Sequence, residues 1–570
     1  MSALNTRVIL ASILMLGLAS LIAACSTKQE KVVGAPAPNT PQAETRAEDV
    51  FVTAAKQSAY GTMATLESQN PAYSSPPNYA PAPVPGTHDR SEYPEYVANS
   101  IKLTSEDPVS TFSVDVDTSS YGVMRALIKS GELPNSQIIR TEELLNYFDY
   151  DYPLPQAKEQ PFATSVSVFD APWSKDKQLV RIGIKGYNIE PSEQPDSNLV
   201  FLLDVSGSMN QENKLPLVKK SFALLLKSLK PTDTISMVVY AGASGVVLPP
   251  TKVKSKTKIL AALNRLSAGG STAGGAGLAL AYQLAHENFK EQGVNRIILA
   301  TDGDFNVGQS SNEALQQMVE QNRDAGIYLS VLGFGRYNYQ DDMMQTIAQN
   351  GNGIAAYIDT LQEAKKVLVD EATSNLFPIA NDVKIQVEFN PKNVAEYRLI
   401  GYETRTLARE DFNNDKVDAG EIGSGHTVTA MYEITPTSAA VKSIDPLRYS
   451  NEEQESERDG SAHSNELGFV KLRYKLPGES ASRLMSQPIT IGQEADKEAL
   501  FAASVIAFAE SLRGGKHLAE FCMSDIVELA QNNKGTDASG YRAEFIQLVE
   551  MARLLRDSNG VGALPDHCKG

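Results

Sequence analysis

Cysteine is nearly missing, with three in 570 residues, and that scarcity excludes a small scaffold stapled by disulfides; the fold must rest on apolar cores. Histidine is sparse too. The six present are scattered, none forms an H-E-x-x-H pair, and no G-x-S-x-G elbow occurs, so the familiar hydrolase signatures are absent and no enzyme activity is expected. Basic side chains are outnumbered 52 to 69, and the resulting net charge of -17 repels phosphate backbones and argues against a nucleic-acid partner. With 42% hydrophobic and 21% charged residues, the chain lacks the composition of a multi-span membrane protein. Its length instead suits about three soluble domains of roughly 150 residues plus unstructured parts.

What is present begins at the N-terminus. Arg7 precedes an uncharged apolar run from Val8 to Ala24, short for a spanning helix and typical of a signal peptide's apolar region. The run ends Leu21-Ile22-Ala23-Ala24-Cys25, which resembles the bacterial lipobox. The resemblance implies that residues 1–25 are a lipoprotein signal peptide and that Cys25 becomes the lipidated first residue, joining the protein to a membrane. Ser26 in place of aspartate resembles the outer-membrane sorting pattern of Gram-negative lipoproteins, so the expected location is the cell envelope, at the outer membrane. Residues 26–99 are rich in Ala, Pro, Ser, Thr and Gln and cannot bury enough apolar surface to offset their ordering entropy; they read as a disordered tether. Cys522 and Cys568 either pair, as an oxidising compartment allows, or remain buried thiols, and sequence does not decide between these.

The ordered part divides by periodicity. Residues 100–195 read as an N-terminal extension, with a strand and helices in "STFSVDVDTSSYGVMRALIKSGELP" and "TEELLNYFDYDYP", then the alternating strands "FATSVSVFD" and "QLVRIGIKG". Residues 197–375 alternate apolar strands with amphipathic helices, the pattern of a mostly parallel sheet covered on both faces. Over 376–490 the pattern returns to one-wet-face antiparallel strands, expected to pair with 160–195 in a β-sandwich that the central domain interrupts. Residues 496–570 read as helical, with Phe501, Val505, Phe508 and Leu512 on one face. The fold class is therefore α/β at the centre, flanked by a β-sandwich-like region and a C-terminal helical region.

Chemistry concentrates in "LVFLLDVSGSMN". An apolar strand runs into Asp204, Ser206 and Ser208, placing a carboxylate and two hydroxyls at the carboxyl end of a central strand, where open α/β sheets bind ligands. "SAGGSTAGGAGL" adds Thr272 in a glycine-rich loop, and "RIILATDGDFNVG" adds Asp302 at another strand end. Oxygen donors without His or Cys suit Mg2+ or Mn2+ rather than zinc. In order and spacing the set resembles the metal-ion-dependent adhesion site (MIDAS) of von Willebrand factor A domains. That resemblance implies direct ligation by Ser206 and Ser208, ligation by Thr272 directly or through water, and contacts from Asp204 and Asp302 mainly through water. It also implies one open position for a carboxylate of a protein partner. The flanks "FSVDVDTSSYGVMRALIKSGELP", "RTEELLNYFDYDYP" and "GYRAEFIQLV" resemble a group of bacterial von Willebrand factor A lipoproteins. The expected function is cation-dependent protein binding, with an envelope scaffold, rigidified by the metal, as the alternative.

Two other acidic segments imitate metal loops. Asp115 and Asp117 are followed by Tyr121 where a second hydroxyl is needed, and read as polar strand positions before a helix. Asp411, Asn413 and Asp415 open like a calcium loop but have Lys416 at the glycine position and Ile422 at that of the bidentate glutamate.

Overall fold

In the computed structural model, the residues described are 97–155, 160–271, 274–303, 312–335, 341–445, 463–492 and 495–558. Residues 1–96, which include Cys25 and the expected tether, lie outside them. The N-terminal part supplies β1 (Lys102–Leu103), β2 (Val109–Ser113), α1 (Ser119–Lys129), α2 (Thr141–Leu145), β3 (Phe162–Asp170) and β4 (Gln178–Gly186). An α/β unit follows: β5 (Ser197–Asp204), α3 (Leu215–Ser228), β6 (Thr234–Tyr240), β7 (Ser244–Lys252), α4 (Lys256–Asn264), α5 (Gly274–Glu287), β8 (Val294–Thr301), α6 (Asn312–Asp324), β9 (Tyr328–Phe334), α7 (Asp341–Asn350), β10 (Ala355–Ile358), α8 (Leu361–Lys365) and α9 (Ala372–Leu376). Then come β11 (Pro378–Phe389), β12 (Val394–Ile400), β13 (Gly420–Gly423), β14 (Thr427–Pro436), β15 (Glu466–Lys475), β16 (Arg483–Thr490), α10 (Lys497–Leu512), α11 (Met523–Asn533) and α12 (Tyr541–Ser558). None of the described helices is long and apolar enough to cross a membrane.

The α/β unit holds a six-stranded sheet in the order β10-β9-β8-β5-β6-β7, parallel except for β7. β5 and β8 are buried along their whole length, which is why their segments 199–203 and 297–300 read as unbroken apolar runs rather than alternating ones. The remaining strands make two antiparallel sheets: β1-β12-β14-β4-β3, and β13-β11-β15-β16 with β2 beside β11. These pack face to face. Val180, Ile182 and Val428 of the first share a core with Phe112, Ile385, Val387 and Leu472 of the second, and Phe389 meets Tyr432 across the gap at 5.2 Å. Burying each such side chain contributes about 1.5 to 3 kcal/mol. β4 and β14 pair from Gln178–Ile434 to Lys185–Thr427, so strands on both sides of the α/β unit share a sheet.

The chain enters and leaves the α/β unit through one neck. Gly425 N donates to Tyr187 O on the way in, and Ser424 N to Phe377 O on the way out, both at 2.9 Å. A side chain at Gly423 would put a carbon 1.8 Å from Ser374 O, so only glycine lets the two connections pass.

The segment read as one extension splits. β1 and β2 join the sandwich, whereas α1 and α2 pack with α10 to α12 against the α/β unit in one core containing Tyr121, Met124, Tyr357, Phe501 and Phe545. α1 comes so close to β10 that a Cβ on Gly122 would lie 2.6 Å from Tyr357 O. Asp117 Oδ1 accepts from Ala355 N at 2.7 Å and so satisfies a donor on the edge strand β10. α10 departs from the one-face reading: Ala502, Ala503, Ile506, Ala507 and Ala509 are buried along with Phe501, Val505 and Phe508. Its alanines admit neighbours on every side, so it is an interior helix.

Candidate metal centre

Parallel register brings the two carboxylates together. β5 and β8 are neighbours with Leu203 beside Ala300. Asp204 ends β5 and Asp302 follows the last residue of β8, so both emerge at one rim, where the peptide chains leave the sheet. Both are buried, at 0% and 1% exposure. Asp204 Oδ1 accepts from Ser206 N at 2.8 Å, an Asx-type turn that reverses the chain at the strand end. That turn sets Ser206 Oγ 2.9 Å from Ser208 Oγ, with Ser206 buried and Ser208 exposed.

The glycine-rich loop is drawn against this turn. Gly207 N donates to Gly270 O at 3.0 Å and Gly269 N to Val205 O at 2.8 Å. Gly270 needs its freedom: its φ is +91° and a Cβ would meet Gly242 N at 3.2 Å. Thr272 and Asp304, on the glycine-rich loop and after Asp302, lie outside the described residues. Cys522, at the start of α11, is disulfide-bonded; Cys568 lies outside the described residues.

Burial pushes the Asp204 carboxyl up to about 6, the Asp302 charge adding to the effect while hydrogen bonds from Ser206 oppose it. Two acids enclosed together with hydroxyls at the mouth make a hard, electron-rich pocket, and a small dication would offset negative charge that burial penalises there. The donors fit such an ion. Among the described residues no group of three or more His, Cys, Asp or Glu could hold a metal, so this set relies on its hydroxyls. One residue at the site was not anticipated: Lys214 Nζ donates to Asp302 Oδ2 at 2.8 Å in a buried ion pair. Its place ten residues beyond Asp204, just before a helix, carries no sequence signal for this pairing.

The imitators are occupied otherwise. Arg405 pairs with both Asp115 and Asp117, at 2.9 and 3.2 Å. In the calcium-like segment Lys384 Nζ donates to the carbonyls of Asp411 and Asn414, and Lys475 Nζ to that of Asp415. Arg473 Nη2 donates to Asn413 Oδ1 at 2.7 Å and Ser482 N to Asp415 Oδ2 at 3.3 Å, so side-chain oxygens that a calcium loop would turn to the ion are held by protein donors.

Three family models match the chain in tandem: one described as von Willebrand factor over residues 87–181, the von Willebrand factor type A domain over 198–370, and "Uncharacterized protein YfbK, C-terminal" over 374–555. The uncharacterized protein YfbK of Escherichia coli K12 is 43% identical over 475 residues, 82% of this chain and 81% of that one. Inter-alpha-trypsin inhibitor heavy chain H3 of Mesocricetus auratus is 25% identical over 42% of this chain and 28% of its own length. Among solved structures, the von Willebrand factor type A protein from Catenulispora acidiphila is 16% identical and covers 68% of this chain and 89% of that one, with a TM-score of 0.37.

Proposed function

Because the chain belongs to the family of the E. coli protein YfbK and carries a von Willebrand factor type A domain at its centre, we propose that it is a divalent-cation-dependent protein-binding module displayed by a lipid-anchored envelope protein. Domains of this type are commonly metal-dependent protein-interaction modules. The observation that carries the reading is one rim where Ser206 and Ser208 Oγ stand 2.9 Å apart in front of the buried Asp204 and Asp302. Ser206, Ser208 and Thr272 would hold Mg2+ or Mn2+, with Asp204 and Asp302 behind them. The bound ion supplies a positive centre that accepts a carboxylate from an acidic residue of the partner.

Affinity capture from envelope extracts tests it, with wild type and Ser208→Ala, each in Mg2+ and in EDTA. A partner retained by wild type in Mg2+ alone supports the reading. A partner retained equally in EDTA overturns it in favour of a scaffold whose flanking regions make the contacts.

The anchor is part of the same proposal. Cys25→Ser removes the thiol on which lipidation depends, and the expected result is an unprocessed precursor that no longer fractionates with membranes. Labelling with a radioactive fatty acid checks this, and equal label in wild type and variant would end the anchor proposal.

A further inference from the structure

Lysine is among the residues least often fully buried, and when buried it is paired. Lys214 is 3% exposed. It stands at the entry to α3, where Val218 N donates to its carbonyl at 2.8 Å and its own N–H to Gln211 O at 2.9 Å, so the first helical turn fixes its main chain. From there its side chain reaches Asp302 Oδ2. The stem crosses Gly335, which follows β9: a Cβ there would lie 2.2 Å from Lys214 Cε and 2.7 Å from Cγ. Gly335 O in turn accepts from the Tyr357 hydroxyl of β10. Two elements outside α3 thus form a seat shaped to this one side chain.

The seat has an electrostatic consequence. Asp204 and Asp302 with Lys214 carry one net negative charge; a dication turns this into one net positive charge, enclosed beside groups that cannot be fully hydrated. Without Lys214 the same two carboxylates would neutralise the ion. We propose that Lys214 is a built-in cation that holds Asp302 in the metal-free protein, weakens metal binding by repulsion, and leaves the loaded site one positive charge in excess, so that metal and an anionic partner group bind cooperatively. The inference rests on the metal-binding reading above and adds a regulation to it: the ion is held firmly only when a carboxylate arrives with it.

Mn2+ titration by calorimetry into wild type, Lys214→Met and Lys214→Arg, with and without acetate as the carboxylate probe, tests this alongside thermal melts in EDTA. Removing the charge is expected to tighten Mn2+ at least about tenfold and to abolish most of the gain in Mn2+ affinity that acetate gives wild type, whereas Lys214→Arg keeps that gain. In EDTA Lys214→Met is expected to melt below wild type, and the double variant Lys214→Met, Asp302→Asn to recover part of the loss, because the stranded charge is gone. The melts need no metal and read the Lys214–Asp302 pair on their own. Equal or weaker Mn2+ binding by Lys214→Met would show a prop for Asp302 and overturn the proposal. Absence of Mn2+ binding in every variant would overturn the metal reading itself, a result distinguishable from the first.

Discussion

Replacing Arg125 by methionine is expected to lower the free energy of unfolding by about 3 to 5 kcal/mol, since removing one member of a buried ionic cluster strands its partners. Arg125 on α1 is 1% exposed. Its guanidinium meets Asp359 Oδ2 at 2.9 Å, Glu363 Oε2 at 2.8 Å, the Tyr147 hydroxyl at 2.9 Å and Glu544 Oε2 at 3.4 Å. The Tyr147 hydroxyl donates onward to Glu363 at 2.7 Å, and its ring stacks on Tyr121 with centroids 3.6 Å apart. One side chain thus ties α1, the α/β unit and α12. Loss of the cation leaves three carboxylates around a low-dielectric space, where burial already pushes the Glu363 carboxyl up. Urea denaturation measures the effect. Adding Asp359→Asn and Glu363→Gln to Arg125→Met is expected to restore a good part of the stability; a methionine variant as stable as wild type would show that packing alone holds these parts together.

Asp204→Asn is expected to reduce Mg2+ and Mn2+ affinity by up to about a hundredfold while making the metal-free protein more stable at neutral pH. The two effects have one cause. The folded-state pKa of Asp204 lies near 6, above its ordinary 3.8, because burial and Asp302 disfavour its charge. A raised carboxyl contributes stability that is fully present below the unfolded pKa and is lost as pH rises through the folded one. In EDTA, wild type therefore gives up as much as about 3 kcal/mol between pH 4 and pH 7 on account of this group. Asparagine keeps an oxygen for Ser206 N and has no charge to desolvate. Melts in EDTA at pH 5 and 7.5 are expected to show Asp204→Asn gaining on wild type at the higher pH, and calorimetry to show its metal binding lost. Wild-type affinity in the variant would remove Asp204 from the site.

The central sheet was legible because its strands are buried on both sides. The runs ending at Asp204 and Asp302 are unbroken, so the strand ends, and the rim they share, could be read from residue order alone. The antiparallel sheets were legible for the opposite reason: in β15 Val470, Leu472 and Tyr474 are buried while Lys471 and Arg473 between them are more open. Long-range polar pairing left no such trace. Nothing adjacent to Arg125 announces Asp359, Glu363 or Glu544, and nothing adjacent to Asp115 and Asp117 announces Arg405. Lys214 belongs to this class, since a lysine before a helix ordinarily points to water. The split of the N-terminal extension was equally hidden, because β2 is chosen by β11 through backbone register, with Phe112 opposite Ile385, and α1 by the edge of another sheet.

The closure of the N-terminal segment by the C-terminal one also governs how the chain can fold. Arg125 and Glu544 are 419 residues apart in sequence, and β2 cannot gain its partner β11 until the whole α/β unit has been made. A chain emerging from its N-terminus therefore presents β3 and β4 as a lone hairpin, marginal in water, while the α/β unit, whose six strands pair only with one another, can begin to fold first. Loop-closure entropy makes such late, distant pairings slow. The expected order is an early central domain, a waiting hairpin with open edges, and a final cooperative step in which the last helices dock on α1. Until that step the chain is the species most exposed to aggregation, and the one on which a holding chaperone would act.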